Sequence, residues 1–151
     1  MPRLQLFAPC ERALIDQGSG ATSLVTVLQT LTIPEPPVNT PSNAIAIQRW
    51  SAVSMWMMSE GDETKRFQQL VTLVNPTGAP VFRTQADFGF PKAFHRIVAT
   101  IHGFPLQPPG EYHLELALRE FGAADWTLVS SYSLFLRYAS QGKPSPASSS
   151  L

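Results

Sequence analysis

The side chains best suited to chemistry in this 151-residue chain are three histidines, one cysteine and a scatter of tryptophans and phenylalanines. His102 and His113 stand in two runs, 93–104 and 111–119, on either side of the turn sequence PLQPPG. An antiparallel pairing centred near Gln107 would set Ile101 against Leu114, Ala99 against Leu116 and Ile97 against Leu118. The same register sets His102 against His113 on the other side, with Cβ atoms about 5 Å apart. Two imidazoles so placed, completed by Glu111, Glu115 or His95, have the donor set for Zn²⁺ or Cu²⁺. They would also resist charging together, which is the basis of a pH switch. The plainer reading is two half-exposed histidines on a solvated sheet face. His95 shares the parity of Ile97 and so points away from the pair, which favours the plainer reading. No cofactor is expected.

Other candidates are weaker. A nucleophilic cysteine needs a base or positive surroundings to hold its thiolate. Cys10 has only Glu11 and Arg12 beside it, so a structural thiol is expected. Asp62 and Glu63 have no partner acid at the spacing that glycoside hydrolysis requires. Trp50, Trp56, Phe88 and Phe90 have the surface to stack on a sugar or anchor a partner protein. The alternative for all four is core, and Trp126 shares the inward parity of Leu128 and Leu134. Arg96 and Arg119 would oppose each other in the hairpin register, an unfavourable pairing unless an anion or a bulge intervenes.

The elements that must position these residues are strands. Tyr112, Leu114, Leu116 and Leu118 alternate with His113, Glu115, Ala117 and Arg119, the period of a strand with one buried face. Further strands are expected over 3–15, ended or kinked by Pro9, over 22–33, 44–58, 65–74, 81–88 and 126–138. The 44–58 run carries apolar residues on both parities, as in a strand covered on both sides or placed at an interface. Asn75-Pro76-Thr77-Gly78 between two such runs predicts a hairpin turn. With about eight strands, the layer rules favour an antiparallel two-sheet β-sandwich, immunoglobulin-like or C2-like, over a partly closed β-barrel. One domain over 1–139 is expected, followed by a flexible Ser/Pro-rich tail at 140–151.

Composition narrows the function. Lys plus Arg equals Asp plus Glu at 11 each, so the formal net charge is zero. Phosphate recognition needs clustered cations, so no nucleic-acid partner is expected. A weakly charged surface also lowers repulsion between copies. No apolar run is long enough to span a membrane. The single cysteine fits a reducing compartment, and the N-terminus lacks a signal-peptide pattern, so a cytoplasmic location is expected. Phosphate-binding loops, H-E-x-x-H and C-x-x-C are absent from the sequence.

Cys10, Glu11, Ile15, Asp16, Ser23 and Leu24, then Val74, Pro76 and Gly78, then Pro109, Gly110 and Tyr112, resemble the pattern of a family of small bacterial domains of unknown function. The resemblance covers roughly residues 3 to 138. It implies a β-sandwich and carries over no catalytic residues. The expected role is a non-enzymatic protein-interaction or assembly module, homodimeric through the 44–58 strand and its tryptophans. The alternatives are a small-molecule or carbohydrate-binding module using the aromatics, and a metal-binding protein using His102 and His113.

Overall fold

The computed structural model describes residues 1–139, and the tail expected at 140–151 lies outside the described residues. Nine strands follow in order: β1 (Arg3–Ile15), β2 (Thr22–Val27), β3 (Thr30–Pro34), β4 (Ile45–Met57), β5 (Arg66–Val74), β6 (Pro80–Gly89), β7 (Phe94–Pro105), β8 (Gly110–Glu120) and β9 (Thr127–Ala139). They form a four-stranded sheet, β2-β1-β4-β7, and a five-stranded sheet, β3-β9-β8-β5-β6. The two face each other in a partly curled, half-barrel-like sandwich. In immunoglobulin-like lettering, β1-β4-β7 occupy the places of A-B-E, and β9-β8-β5-β6 those of G-F-C-C′.

Strand periodicity dictates which side chains meet between the sheets. Trp50, Ala52 and Trp56 of β4 and Ile101 of β7 face Phe67, Val71 and Leu73 of β5, Tyr112, Leu114, Leu116 and Leu118 of β8, and Leu134 and Leu136 of β9. Each large apolar side chain fully buried in this way contributes about 1.5–3 kcal/mol. The expected alternation in β8 is present, and the Asn75 turn joins β5 to β6 as expected. The Asn75 side-chain oxygen accepts the N–H groups of Thr77 at 3.1 Å and Ala79 at 2.9 Å, and Gly78 supplies φ 85°.

The expected pairing of 93–104 with 111–119 does not form. β7 pairs with β4 and β8 pairs with β5 and β9, so the turn between them crosses from one sheet to the other. The two apolar faces do meet, but through the core. The crossing is held by Tyr112, whose hydroxyl donates to the Pro108 carbonyl at 2.8 Å, the tyrosine-corner arrangement of such sandwiches. A hairpin and a crossing bury the same faces, so alternation alone cannot separate them.

Three smaller departures have local causes. The 22–33 run divides at Leu28–Gln29, where the chain changes sheets, and β3 then pairs parallel to β9, making the five-stranded sheet mixed. Pro9 neither ends nor breaks β1. It lies where β1 hands over from β4 to β2, and its carbonyl accepts the Leu28 N–H at 3.0 Å. In β9, a register shift opposite Leu116/Ala117 turns Leu128 outward, leaving it 59% exposed. Trp126 goes with it to the outside, where the Arg119 guanidinium sits 4.2 Å over its ring.

β4 is buried on both faces from Trp50 to Ser54, as its sequence suggested for the run as a whole, whereas Ile45, Ile47 and Arg49 at its start are exposed. The inner face is the sandwich core. On the outer face the β1–β2 hairpin leaves β4 after Cys10 and returns over the sheet toward β7. Arg96 of β7 reaches it, donating to Gly20 O at 3.0 Å and Thr22 Oγ1 at 2.7 Å. Val53 and Cys10, on this outer face, are thereby fully buried. Thr26, between the paired Val25 and Val27 of the hairpin, has φ 52°, a left-handed conformation that β-branched residues rarely adopt.

Candidate functional site

The residues proposed for chemistry are dispersed. His102 lies on the outer face of the four-stranded sheet, opposite Arg49. His113 lies on the five-stranded sheet, opposite Val74 and Ser133, with its Nε2 3.9 Å from Glu111 Oε1. They belong to different sheets, so the expected imidazole pair does not form. Among the described residues no group of three or more His, Cys, Asp or Glu is placed to hold a metal ion. Arg96 and Arg119 are likewise apart. Arg96 ties down the hairpin, whereas Arg119 donates to Gln68 Oε1 at 2.8 Å.

The four aromatics proposed for a surface are core. Trp50 and Trp56 are 0% exposed, and Phe88 and Phe90 are also buried. Trp50 Nε1 donates to Gly103 O at 3.0 Å. Trp56 Nε1 and Ser54 Oγ donate to the same oxygen, Gln69 Oε1, at 2.9 and 2.7 Å. Phe88 stacks on Trp56 and on His95, the latter at 5.3 Å with planes 4° apart. These rings offer no surface to a partner, because the second sheet already covers them. His95 sits in this apolar cluster, and burial, followed by the Arg96 charge, pushes its pKa below the ordinary histidine value. Burial raises the Cys10 thiol above its ordinary pKa, the opposite of what a nucleophile needs.

A concave site lies instead at the end of the sandwich where β7 crosses to β8. A cleft of about 780 Å³ is lined by Ser42, Asn43, Ala44, Ile45, Asn75, Val81, Pro105, Gln107, Pro108, Pro109 and Tyr138. Each wall has a local reason for its position. The β7–β8 crossing puts three prolines in the wall, and proline fixes φ. Gln107 donates its amide N–H groups to Thr40 O at 2.9 Å and Pro41 O at 3.0 Å, fastening the 35–44 connector to the crossing. Leu106 N–H donates to Ala44 O at 3.1 Å, and Tyr138 Oη donates to Leu106 O at 3.0 Å. The β5–β6 turn supplies Asn75, and the start of β6 supplies Val81.

No lining residue carries a formal charge. Ile45 is 60% exposed and Val81 43%, forming an apolar lip. Ile45 also borders a smaller depression with Ile47, Arg49 and His102. There the ladder between β4 and β7 is interrupted between Ala46 and Arg49, and Ile47 projects fully into solvent. Gly103 opposite that interruption has φ 105°, and a Cβ there would lie 2.8 Å from Ile45 Cδ1. The cleft walls come largely from the stretch between the expected strands 22–33 and 44–58 and from the expected hairpin turn PLQPPG. The signal that could have found the cleft was the presence of two proline-rich stretches, each next to amide side chains.

No curated protein matches the chain. A model of a family of unknown function matches residues 5–129, most of the described sandwich. The chain belongs to that family, DUF6941.

Proposed function

We propose that the protein is a non-enzymatic interaction module whose end cleft takes an uncharged, partly apolar stretch of a partner protein. The observation that supports this is the cleft's lining: an apolar lip and proline walls with amide and hydroxyl groups between them, and no charge. Its volume lies within the range of sites that enclose a ligand. The walls are fastened by hydrogen bonds before any ligand arrives, so little ordering entropy opposes binding. A carbohydrate is the second reading, favoured by the amides of Asn43, Asn75 and Gln107. It is the weaker one because the flat rings that would stack on a sugar are inside the core, with only Tyr138 at the cleft.

The role also includes assembly with a second copy, which zero formal net charge does not oppose. The proposed compartment is the cytoplasm, which a single buried thiol suits. No helix is long and apolar enough to cross a membrane among the described residues.

The test is selection of peptides from a random displayed library on the whole protein. Enriched peptides should be poor in charged residues, and their binding should weaken at least tenfold in Ile45→Glu or Val81→Glu, about 1.4 kcal/mol. Selected sequences rich in Lys and Arg, or binding unchanged in both variants, would remove the reading.

A further inference from the structure

The geometry points to β6 as the edge through which two copies of this chain pair, antiparallel and centred on Gln85. This rests on the assembly part of the reading above and names its surface. β6 is the end strand of its sheet, so one side of its backbone lacks a neighbouring strand. Its C-terminal end comes against β7, where Phe88, and Phe90 just beyond the strand, meet His95. An open edge of this kind is a template for another strand.

The side chains select the partner and the register. On the outward face of β6, Val81, Arg83, Gln85 and Asp87 follow one another at every second position. When two copies pair about Gln85, Arg83 of each stands opposite Asp87 of the other, and Gln85 stands opposite itself. Opposite charges placed directly across a ladder are stabilising, and like charges destabilising. Centring the pair on Arg83 or on Asp87 instead would set like charges together. The inward positions of the favoured register set Thr84 against Ala86, both small. Arg83 makes no side-chain hydrogen bond or ion pair among the described residues, and Asp87 Oδ2 lies 4.0 Å from Arg66 with its side chain 38% exposed. The other three edge strands cannot do this. β2 and β3 carry no charged residue, and β7 has Arg96 but no acid.

Sedimentation equilibrium of the full chain over a range of concentrations tests the pairing. The expected result is a mass approaching twice 16.6 kDa as concentration rises. Arg83→Glu and Asp87→Arg should each weaken self-association at least tenfold. An equimolar mixture of the two variants should restore it. In the mixed pair the two substituted positions face each other with their charges exchanged, and the native Asp87 of one copy still meets the native Arg83 of the other. Asp87 also accepts from Gln68 Nε2 at 2.8 Å, so its replacement could disturb the fold. Gln85→Cys is the independent measurement. Residues on the two-fold lie within disulfide reach, so mild oxidation should give a covalent dimer, with Cys10 buried and silent. A wild-type chain that stays monomeric at every concentration, or a dimer that Gln85→Cys fails to cross-link, overturns the proposal. Peptide binding at the cleft is read separately, so a monomer that still binds peptide leaves the cleft standing.

Discussion

At Gln69 a single side-chain oxygen accepts two buried donors, the Trp56 indole and the Ser54 hydroxyl. Removing it strands both in an apolar core, and each buried donor without a partner costs about 1–3 kcal/mol. Gln69→Leu should therefore lower unfolding free energy by about 2–6 kcal/mol in a urea titration. A change under about 1 kcal/mol would mean that the two donors find other acceptors. His95, in the same cluster, links stability to pH. Its folded pKa is depressed, so the unfolded chain takes up a proton that the folded chain refuses. Its favourable contribution is complete above the unfolded value of about 6.5 and is lost as pH falls through the folded value. His95→Phe keeps the stack on Phe88 and removes the titration. The Tm of the wild type should fall relative to this variant as pH drops below about 6.5, and parallel curves would contradict the assignment. The sequence carried the inward parity of His95 relative to Ile97. It did not carry which aromatics would surround it, because those come from the end of β6, in the other sheet, and from Phe90 just beyond it.

Among the elements, the β7–β8 crossing and the β1–β2 hairpin determine what is exposed. The crossing depends on the tyrosine corner. Tyr112→Phe should cost about 0.5–1.5 kcal/mol, the net contribution of one hydrogen bond. An unchanged urea midpoint would mean that the three prolines suffice to hold the turn. The hairpin covers Cys10 and Val53, and it bends where Thr26 takes φ 52°. Thr26→Gly relieves a left-handed conformation that costs a side-chain-bearing residue about 1–2 kcal/mol, partly offset by glycine's greater entropy loss. A net gain of roughly a few tenths to 1 kcal/mol is expected in the same titration. A loss would show that the Thr26 methyl or hydroxyl makes a contact that outweighs the strain. Strand positions were legible here because alternation and proline placement are local. Which strand pairs with which was not, since a crossing and a hairpin leave the same pattern in 93–119.

For the whole molecule, an all-β two-sheet architecture was readable from period-2 runs and turn residues spaced along the chain. The functional surface was not. Tryptophan and phenylalanine at 50, 56, 88 and 90 suggested an exposed patch, yet a sandwich must fill the space between its sheets with its largest side chains, and these rings are the filling. The cleft forms where the sheets end and the connectors meet, and its walls come from five separate stretches of chain. The cleft lies at the end of the sandwich and the proposed dimer seam runs along β6, the two sharing Val81.

The most direct measurement is an amide-resolved titration of the nitrogen-15-labelled protein with a peptide selected on it. The account predicts that resonances of residues 42–45, Asn75, Val81, Gln107 and Tyr138 move together with one dissociation constant. It also predicts that Leu70, Glu115 and Ala117, on the outer face of the five-stranded sheet, stay still. Shifts confined to that outer face, with the cleft amides unmoved, would contradict it.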